Sequence, residues 1–191
     1  MSVYLYSAFI LGLSIERGFE LRLSARNAAW ARAAGAVEYG RTHLRWMKAL
    51  HTAFFIGCLS EVWLLSRPFL PAIGWPCLAI AVMAQGLRYW TIITLGRRWN
   101  VAVLVVPGVP AEAAGPFRYL KHPNYLAVIA EGLAVPLMHS AYLTALVFGV
   151  LNAWLLSVRI RCEESALRAH SDYEDRLGDR QRLWPTRSSK A

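Results

Sequence analysis

The sequence predicts an all-α integral membrane protein, and three observations indicate this fold class. Hydrophobic residues make up 56% of the 191 residues, and the mean hydropathy of +0.33 exceeds that of ordinary soluble domains. Several apolar runs approach the ~20 residues with which a helix crosses a bilayer. Basic residues give a formal net charge of +9 but flank these runs, whereas nucleic-acid binding requires a solvated basic patch. We therefore expect one membrane-embedded domain over residues 1–191 and no nucleic-acid partner.

Five apolar segments are the predicted spans, and they cover residues 1–15, 49–66, 69–95, 125–138 and 141–158. Only His139 and Ser140 separate the last two segments, which predicts a short helical hairpin. Residues 16–46 mix arginine with leucine, alanine and tryptophan, a pattern typical of an interfacial helix. The first span has no basic residue ahead of it, so it differs from a cleaved signal peptide.

Basic residues alternate between the loops and predict the orientation of the chain. The segments that follow the five spans carry seven, one, four, no and eight basic residues in turn. Because Lys and Arg are retained on the cytoplasmic side, the N-terminus is expected outside and the polar motifs on the cytoplasmic face. The last eight are Arg159, Arg161, Arg168, Arg176, Arg180, Arg182, Arg187 and Lys190.

Cys58, Cys77 and Cys162 include no close pair, so we expect neither a metal site nor a disulfide.

The densest group of polar and aromatic residues lies immediately before the fourth span. Residues 115–125 read Gly-Pro-Phe-Arg-Tyr-Leu-Lys-His-Pro-Asn-Tyr, in which Gly115-Pro116 predicts a turn and Pro123 predicts a helix start. Free N–H groups at a helix start bind a ligand carboxylate, and nearby aromatic rings accommodate an adenine or a sulfonium. The aromatic residues expected there are Tyr119, His122 and Tyr125. The alternative is a capped helix whose aromatic residues lie at headgroup level.

A second polar group follows the fifth span, where Arg159 and Glu163 are four residues apart and share one helix face. In a functional interpretation Arg159 binds an anionic acceptor and Glu163 holds a cationic group. The alternative is an exposed ion pair worth only a few tenths of a kcal/mol.

Polar residues also occur inside the spans. Among these, Glu61 is expected to pair or to reach the interface, and Arg88 to line a pocket.

Together the two groups resemble the isoprenylcysteine carboxyl methyltransferase family over residues 96–177. The resemblance rests on residues 115–119 and 121–125, followed after the hairpin by Arg159, Glu163, Glu164 and Leu167. It implies S-adenosyl-L-methionine as the cofactor and a catalytic role for Arg159 and Glu163. It also implies that cofactor binding involves Arg118, Tyr119, His122, Pro123, Asn124, Tyr125 and Glu164.

The upstream residues 35–40 with His43, together with residues 87–90 and 95–100, are similar to a bacterial branch that O-methylates alkylpyrones or related phenolic lipids. The resemblance therefore implies a lipophilic acceptor that presents either a carboxylate, as in a prenylated cysteine, or an acidic enol or phenol. Such oxygens need no catalytic nucleophile on the protein. For a weakly acidic hydroxyl, Glu163 or His122 is the expected general base.

Three other functions remain open from the residues alone. The nearest is a phospholipid N-methyltransferase, which differs in its amine acceptor. A sterol-reductase-like membrane enzyme shares an Arg-His-Pro-x-Tyr element and would oxidise NADPH. A non-enzymatic scaffold would use its arginines to bind anionic membrane lipid.

Overall fold

The computed structural model describes residues 1–183, so Arg187 and Lys190 of the basic tail lie outside the described residues. This part of the chain forms six helices: α1 (Val3–Ala33), α2 (Arg41–Leu64), α3 (Pro71–Leu95), α4 (Pro123–Leu137), α5 (Tyr142–His170) and α6 (Tyr173–Leu177). Two strands, β1 (Val37–Tyr39) and β2 (Val103–Val105), and two single-turn 3-10 helices, Gly96–Arg98 and Gly115–Arg118, complete the regular structure.

The outer surface of the helices is apolar. Within residues 1–183, two helical segments, Pro71–Arg98 and Tyr142–His170, are long and apolar enough to cross a membrane. Large hydrophobic side chains are also exposed on α1, α3 and α5, among them Leu5, Phe19, Ile93, Leu146 and Trp154. Extended apolar surface of this kind is rare on soluble monomers and is typical of lipid contact. The fold is that of a mostly helical membrane protein.

The helices pack around one main hydrophobic core. Helix α4 packs against α3 and α5, and α2 packs against α5. In the core the rings of Phe54 and Phe148 lie 4.4 Å apart, within the range of favourable aromatic pairing. Helix α4 approaches α5 closely at Gly132, where an added Cβ would collide with the ring of Phe148. Close packing here sets the position of α4, whose first turn carries the candidate site.

Glu61 of α2 caps the start of α5. Its carboxylate accepts hydrogen bonds from the backbone N–H groups of Leu143 (3.1 Å) and Thr144 (2.7 Å) and pairs with Arg67 at 2.9 Å. A carboxylate at a helix N-terminus satisfies free N–H groups and complements the helix dipole. Glu61 is therefore paired, as expected from the sequence.

Two features differ from the fold expected from the sequence. Helix α1 continues without a break through Ala33, so residues 16–33 belong to it and do not form a separate interfacial helix. Its leucine, alanine, arginine and glutamate residues are strong helix formers, and the helix ends only before Gly35, which has a positive φ. The fold is also not purely α-helical, because β1 pairs antiparallel with β2 through three residues of each strand. Strands this short carry too few residues for a recognisable alternating pattern.

Candidate active site

A cavity of about 740 Å³ lies where the two polar groups of the sequence meet. Residues of α1, α2 and α3 line it together with the segment between α3 and α4, the start of α4, the second half of α5 and α6. Most of the lining is apolar. The cavity is therefore large enough for more than one small molecule and suits ligands with both apolar and polar parts.

The start of α4 is held by a turn and by the C-terminal segment. Gly115 adopts a positive φ of 55° beside Thr94, where an added Cβ would collide with the threonine hydroxyl. Further along, the N–H groups of Lys121 and His122 donate to the carbonyl oxygens of Gln181 (3.0 Å) and Arg182 (3.1 Å). Pro123 occupies the first turn of α4, where its missing N–H costs nothing. These contacts fix the backbone that presents His122, Asn124 and Tyr125.

His122 is held by a buried carboxylate. Its Nε2 lies 3.1 Å from Glu164 Oε1, and both residues are almost completely buried. Glu164 also accepts two hydrogen bonds from Arg182, at 2.8 and 2.7 Å, in a bidentate arrangement. Glu164 does not line the cavity, so in the described structure it acts on the site by orienting His122. The imidazole in turn stacks on Tyr125 with ring centroids 5.3 Å apart.

Arg159 and Glu163 are joined through a tyrosine of the other polar group. Arg159 Nε donates to the Tyr125 hydroxyl at 2.6 Å, and this hydroxyl donates to Glu163 Oε2. Arg159 Nη2 donates to the Val101 carbonyl at 2.6 Å, while Nη1 points toward Met47 Sδ at 4.0 Å. Arg159 as a whole is only 5% exposed. A buried cation with two of its nitrogens held and a third facing a weak acceptor is placed to bind an anionic oxygen.

The cavity wall beside these residues contains polar atoms without partners. Asn124 Oδ1 and the Tyr173 hydroxyl are buried and have no hydrogen-bond partner among the described residues, and both side chains line the cavity. Burial, together with the negative charges of Glu164 and Glu163, raises the pKa of Tyr173, so its hydroxyl remains a neutral donor. Because unpaired buried polar groups are costly, these two atoms indicate a ligand that both donates and accepts hydrogen bonds.

The structure brings together most, but not all, of the residues expected at the site. Six of them line the cavity: His122, Pro123, Asn124, Tyr125, Arg159 and Glu163. Arg118 and Tyr119 instead belong to the exposed surface of the described chain, and Tyr119 is 47% exposed. The 3-10 turn Gly115–Arg118 is the physical reason, because it buries Pro116 and Phe117 and directs the next two side chains outward.

Several residues at the site were missed from the sequence. On α1, Ser24 Oγ donates to Asn100 Oδ1 (2.8 Å) and accepts from the Val101 N–H (3.0 Å), which positions the carbonyl that holds Arg159. Glu20, Ser24, Asn27 and Ala31 form a buried face at helical spacing, a signal that the sequence contained. Phe117 and Tyr173 also line the cavity. No sequence pattern indicates that Arg182 pairs with Glu164.

Comparisons with known proteins bear on the same segment. Residues 77–169 match the model of the isoprenylcysteine carboxyl methyltransferase (ICMT) family. The chain is 39% identical over 160 residues to the uncharacterized protein YpbQ of Bacillus subtilis, covering 83% of this chain and 94% of that relative. It is 31% identical over 154 residues to an uncharacterized protein of Haemophilus influenzae, covering 79% of this chain and 88% of the relative.

An apolar helical exterior, a buried cavity with a fixed cation, and the matched segment together define a membrane-associated methyltransferase. The chain belongs to the isoprenylcysteine carboxyl methyltransferase family. The matched residues 77–169 include both polar groups on which the resemblance rested. The match confirms the resemblance to this family.

Proposed function

We propose that the protein is an S-adenosyl-L-methionine-dependent O-methyltransferase whose acceptor is the carboxylate or acidic enol or phenol oxygen of a lipophilic molecule. The observation that carries this proposal is the hydrogen-bonded row Arg159–Tyr125–Glu163 on the wall of an otherwise largely apolar cavity. A fixed cation in such a cavity favours an anionic oxygen attached to an apolar body. It disfavours the amine acceptor of a phospholipid N-methyltransferase.

The residues around the start of α4 fit the cofactor. Asn124 Oδ1 is an unpaired acceptor for the ammonium group. A carboxylate is favoured at the Asn124 N–H, at the positive end of the α4 dipole, since Tyr125 and Leu126 already donate to the His122 carbonyl. Phe117, Tyr125 and Tyr173 provide aromatic surfaces for the adenine and the sulfonium. Glu164 is then a positioning residue for His122, and Arg118 and Tyr119 have no part in binding. When bound, the cofactor supplies an electrophilic methyl group.

The protein itself contributes alignment and charge. Arg159 Nη1 orients the acceptor oxygen, while Val101 and Tyr125 keep the guanidinium plane from rotating. Methyl transfer from a sulfonium is an in-line displacement, and alignment of this kind lowers a barrier by roughly 7–11 kcal/mol. For a hydroxyl acceptor, Glu163 takes up the proton, directly or through the Tyr125 hydroxyl. The apolar wall excludes water that would otherwise solvate the oxygen.

We further propose that the chain crosses the membrane five times, with the N-terminus outside and the site facing the cytoplasm. The basic residues of alternate loops support this orientation. Helix α4 has only 15 residues and reaches about 22 Å at 1.5 Å per residue, which suits a span that begins below the surface over the cavity.

Bacterial alkylpyrones and phenolic lipids are the favoured acceptors, because the segments around residues 35–43 and 87–100 resemble the bacterial branch of the family that methylates such lipids.

Calorimetry of S-adenosylhomocysteine binding to the detergent-solubilised protein tests the cofactor site. His122→Ala and Asn124→Ala are each expected to weaken binding about tenfold or more, since each removes a contact worth roughly 1.5 kcal/mol. Tyr119→Ala is the matched control and should bind like the wild type, because Tyr119 is exposed. Unchanged affinity in both cavity variants would refute this placement. Oxidation of NADPH by the purified protein would instead favour the reductase alternative.

A further inference from the structure

A second group of charged residues lies at the other end of the cavity. We call it the inner cluster, and it consists of Arg17 and Glu20 of α1, Arg88 of α3 and Glu131 of α4. Arg17 Nη1 donates to Glu20 Oε2 at 2.7 Å, Arg88 pairs with Glu131, and Arg88 Nη1 lies 3.9 Å from Glu20 Oε2. Arg17, Glu20 and Arg88 line the same cavity as Arg159.

The inner cluster lies deeper along the helices than the Arg159–Tyr125–Glu163 row. Glu131 follows Tyr125 by six residues on α4, which corresponds to roughly 9 Å along the helix axis. Helix α2 gives the same order: Met47 contacts Arg159, and His51, one turn further on, lines the cavity near the inner cluster. One cavity therefore has two polar centres separated by apolar wall.

The inner cluster is incompletely paired. Glu20 Oε1 and Arg88 Nε are buried without a hydrogen-bond partner within the described residues, and both side chains line the cavity. Glu131 Oε1 also has no hydrogen bond there, but it lies 3.8 Å from Arg17 Nη2 and its side chain does not line this cavity. Glu20 and Arg88 are only 8% and 7% exposed. Charged groups inside a membrane protein are costly, and a network that serves packing alone satisfies its members. The unused atoms are thus a second observation, independent of the cavity, that indicates a ligand.

The unpaired atoms restrict the chemistry of that ligand. An ammonium group would donate to Glu20 Oε1 but would oppose Arg88, and an anion would accept from Arg88 Nε but would oppose Glu20. A hydroxyl both donates and accepts, so it satisfies both kinds of atom without adding charge. Since the cavity also contains the proposed acceptor site, the simplest ligand is a second part of the acceptor molecule.

We infer that the inner cluster is a specificity subsite that binds a hydroxyl group of the acceptor, roughly 9 Å from the oxygen that is methylated. This inference rests on the proposed function. The acceptor class is then an amphiphile with two polar groups: an acidic oxygen at Arg159 and a neutral hydroxyl at Glu20 and Arg88, joined by an apolar chain or ring system. Lipids with the acidic head alone are poorer substrates.

Matched acceptors test the subsite. The probes are two synthetic alkylpyrones that differ only in a hydroxyl on the alkyl chain, placed roughly 9 Å from the acidic oxygen in the extended molecule. With wild-type protein in lipid nanodiscs, kcat/KM for the hydroxylated probe is expected to be at least tenfold higher, as for one buried hydrogen-bonded group. Glu20→Leu, which removes both carboxylate oxygens, should reduce this ratio to about twofold or less. Ser14→Ala is the matched control, because Ser14 lines the cavity nearby but bonds its own helix.

The outcomes separate the inference from the function on which it rests. Equal methylation of both probes by wild-type protein would overturn the subsite, whose atoms would then hold only water, and would leave the proposed function standing. Methylation of neither probe, nor of a phenolic lipid or a prenylated cysteine, would refute both. The wild-type ratio decides the matter even where Glu20→Leu fails to fold. A preserved ratio in folded Glu20→Leu would also contradict the assignment.

Discussion

Tyr125 connects two polar groups that are more than thirty residues apart in the chain. Its hydroxyl accepts from Arg159 Nε and donates to Glu163, and its ring stacks on His122. Arg159 and Glu163 do share a face of α5, as their spacing predicts, but the tyrosine hydroxyl lies between them. The proposed acceptor contact and the proposed cofactor contact therefore depend on the same side chain.

Variants of this row distinguish a reaction centre from an ordinary ion pair. Arg159→Lys keeps the charge but loses the planar fork that binds Val101 and Tyr125 together, and Glu163→Gln removes the charge with little change of shape. Both are expected to lower methyl transfer more than tenfold while S-adenosylhomocysteine binding stays near wild type. Turnover within about fivefold of wild type in both would be typical of a surface pair worth under ~1 kcal/mol.

The pH profile of Glu163→Gln separates its two roles. If Glu163 is the base for a phenol or enol, the defect should shrink as the pH rises, because the acceptor then ionises without help. If Glu163 only holds Tyr125 and Arg159, the defect should be the same at every pH. Tyr125→Phe is the companion variant, since it removes the hydroxyl and keeps the ring that stacks on His122.

At the scale of elements, the C-terminal segment acts as a clamp on the start of α4. The backbone of residues 181–182 accepts hydrogen bonds from the turn, Arg180 Nη1 donates to the Phe117 carbonyl at 2.6 Å, and Arg182 holds Glu164. Glu164 in turn contacts the His122 imidazole. The orientation of the buried His122 imidazole therefore depends on the position of the partly exposed residues 180–182.

Arg182→Gln tests the clamp. Loss of the bidentate pair leaves Glu164 buried with less positive charge around it and frees His122, so we expect S-adenosylhomocysteine affinity to fall about threefold to tenfold. Arg182→Lys should recover part of that loss. Arg161→Gln is the control, because Arg161 is exposed on α5 and, among residues 1–183, its guanidinium hydrogen-bonds the Ser157 hydroxyl of the same helix. Equal affinity in Arg182→Gln and Arg161→Gln would mean that the clamp does not act on the site.

At the scale of the whole molecule, the Arg159–Tyr125–Glu163 row lies beside polar segments of the chain, whereas the inner cluster lies among apolar helices. The exposed faces of α1, α3 and α5 are apolar along most of their length, whereas the segment between α3 and α4 and the C-terminal segment are polar. This asymmetry agrees with the proposed function, in which the cofactor comes from water and the acceptor from the bilayer.

Cysteine accessibility tests the proposed topology in intact cells. In a background from which Cys58, Cys77 and Cys162 have been removed, Tyr142→Cys, at the exposed start of α5 beside the hairpin, should react with an impermeant maleimide from outside. Ala113→Cys, in the segment before the Gly115 turn, should react only after the membrane is permeabilised. The reason is the excess of basic residues on the cytoplasmic side of each span. Labelling of both positions from the same side would contradict the five-span arrangement.

The sequence by itself determined the membrane class, the family and six of the cavity-lining residues. These properties depend on local information: hydropathy over about 20 residues, a Pro-dependent helix start and the four-residue spacing of Arg159 and Glu163. The helix limits were less accurate at α1, because arginine and glutamate favour a helix as strongly as apolar residues do.

Only the tertiary structure decided which side chains meet across the chain. It placed Tyr125 between Arg159 and Glu163, turned Tyr119 to the surface, paired Glu164 with Arg182, and assembled the inner cluster from three helices. The physical reason is that these contacts join residues 18 to 114 positions apart and depend on how helices pack and turns direct side chains. Such geometry leaves no periodic pattern in the sequence, because each partner looks locally like an ordinary polar residue on a helix.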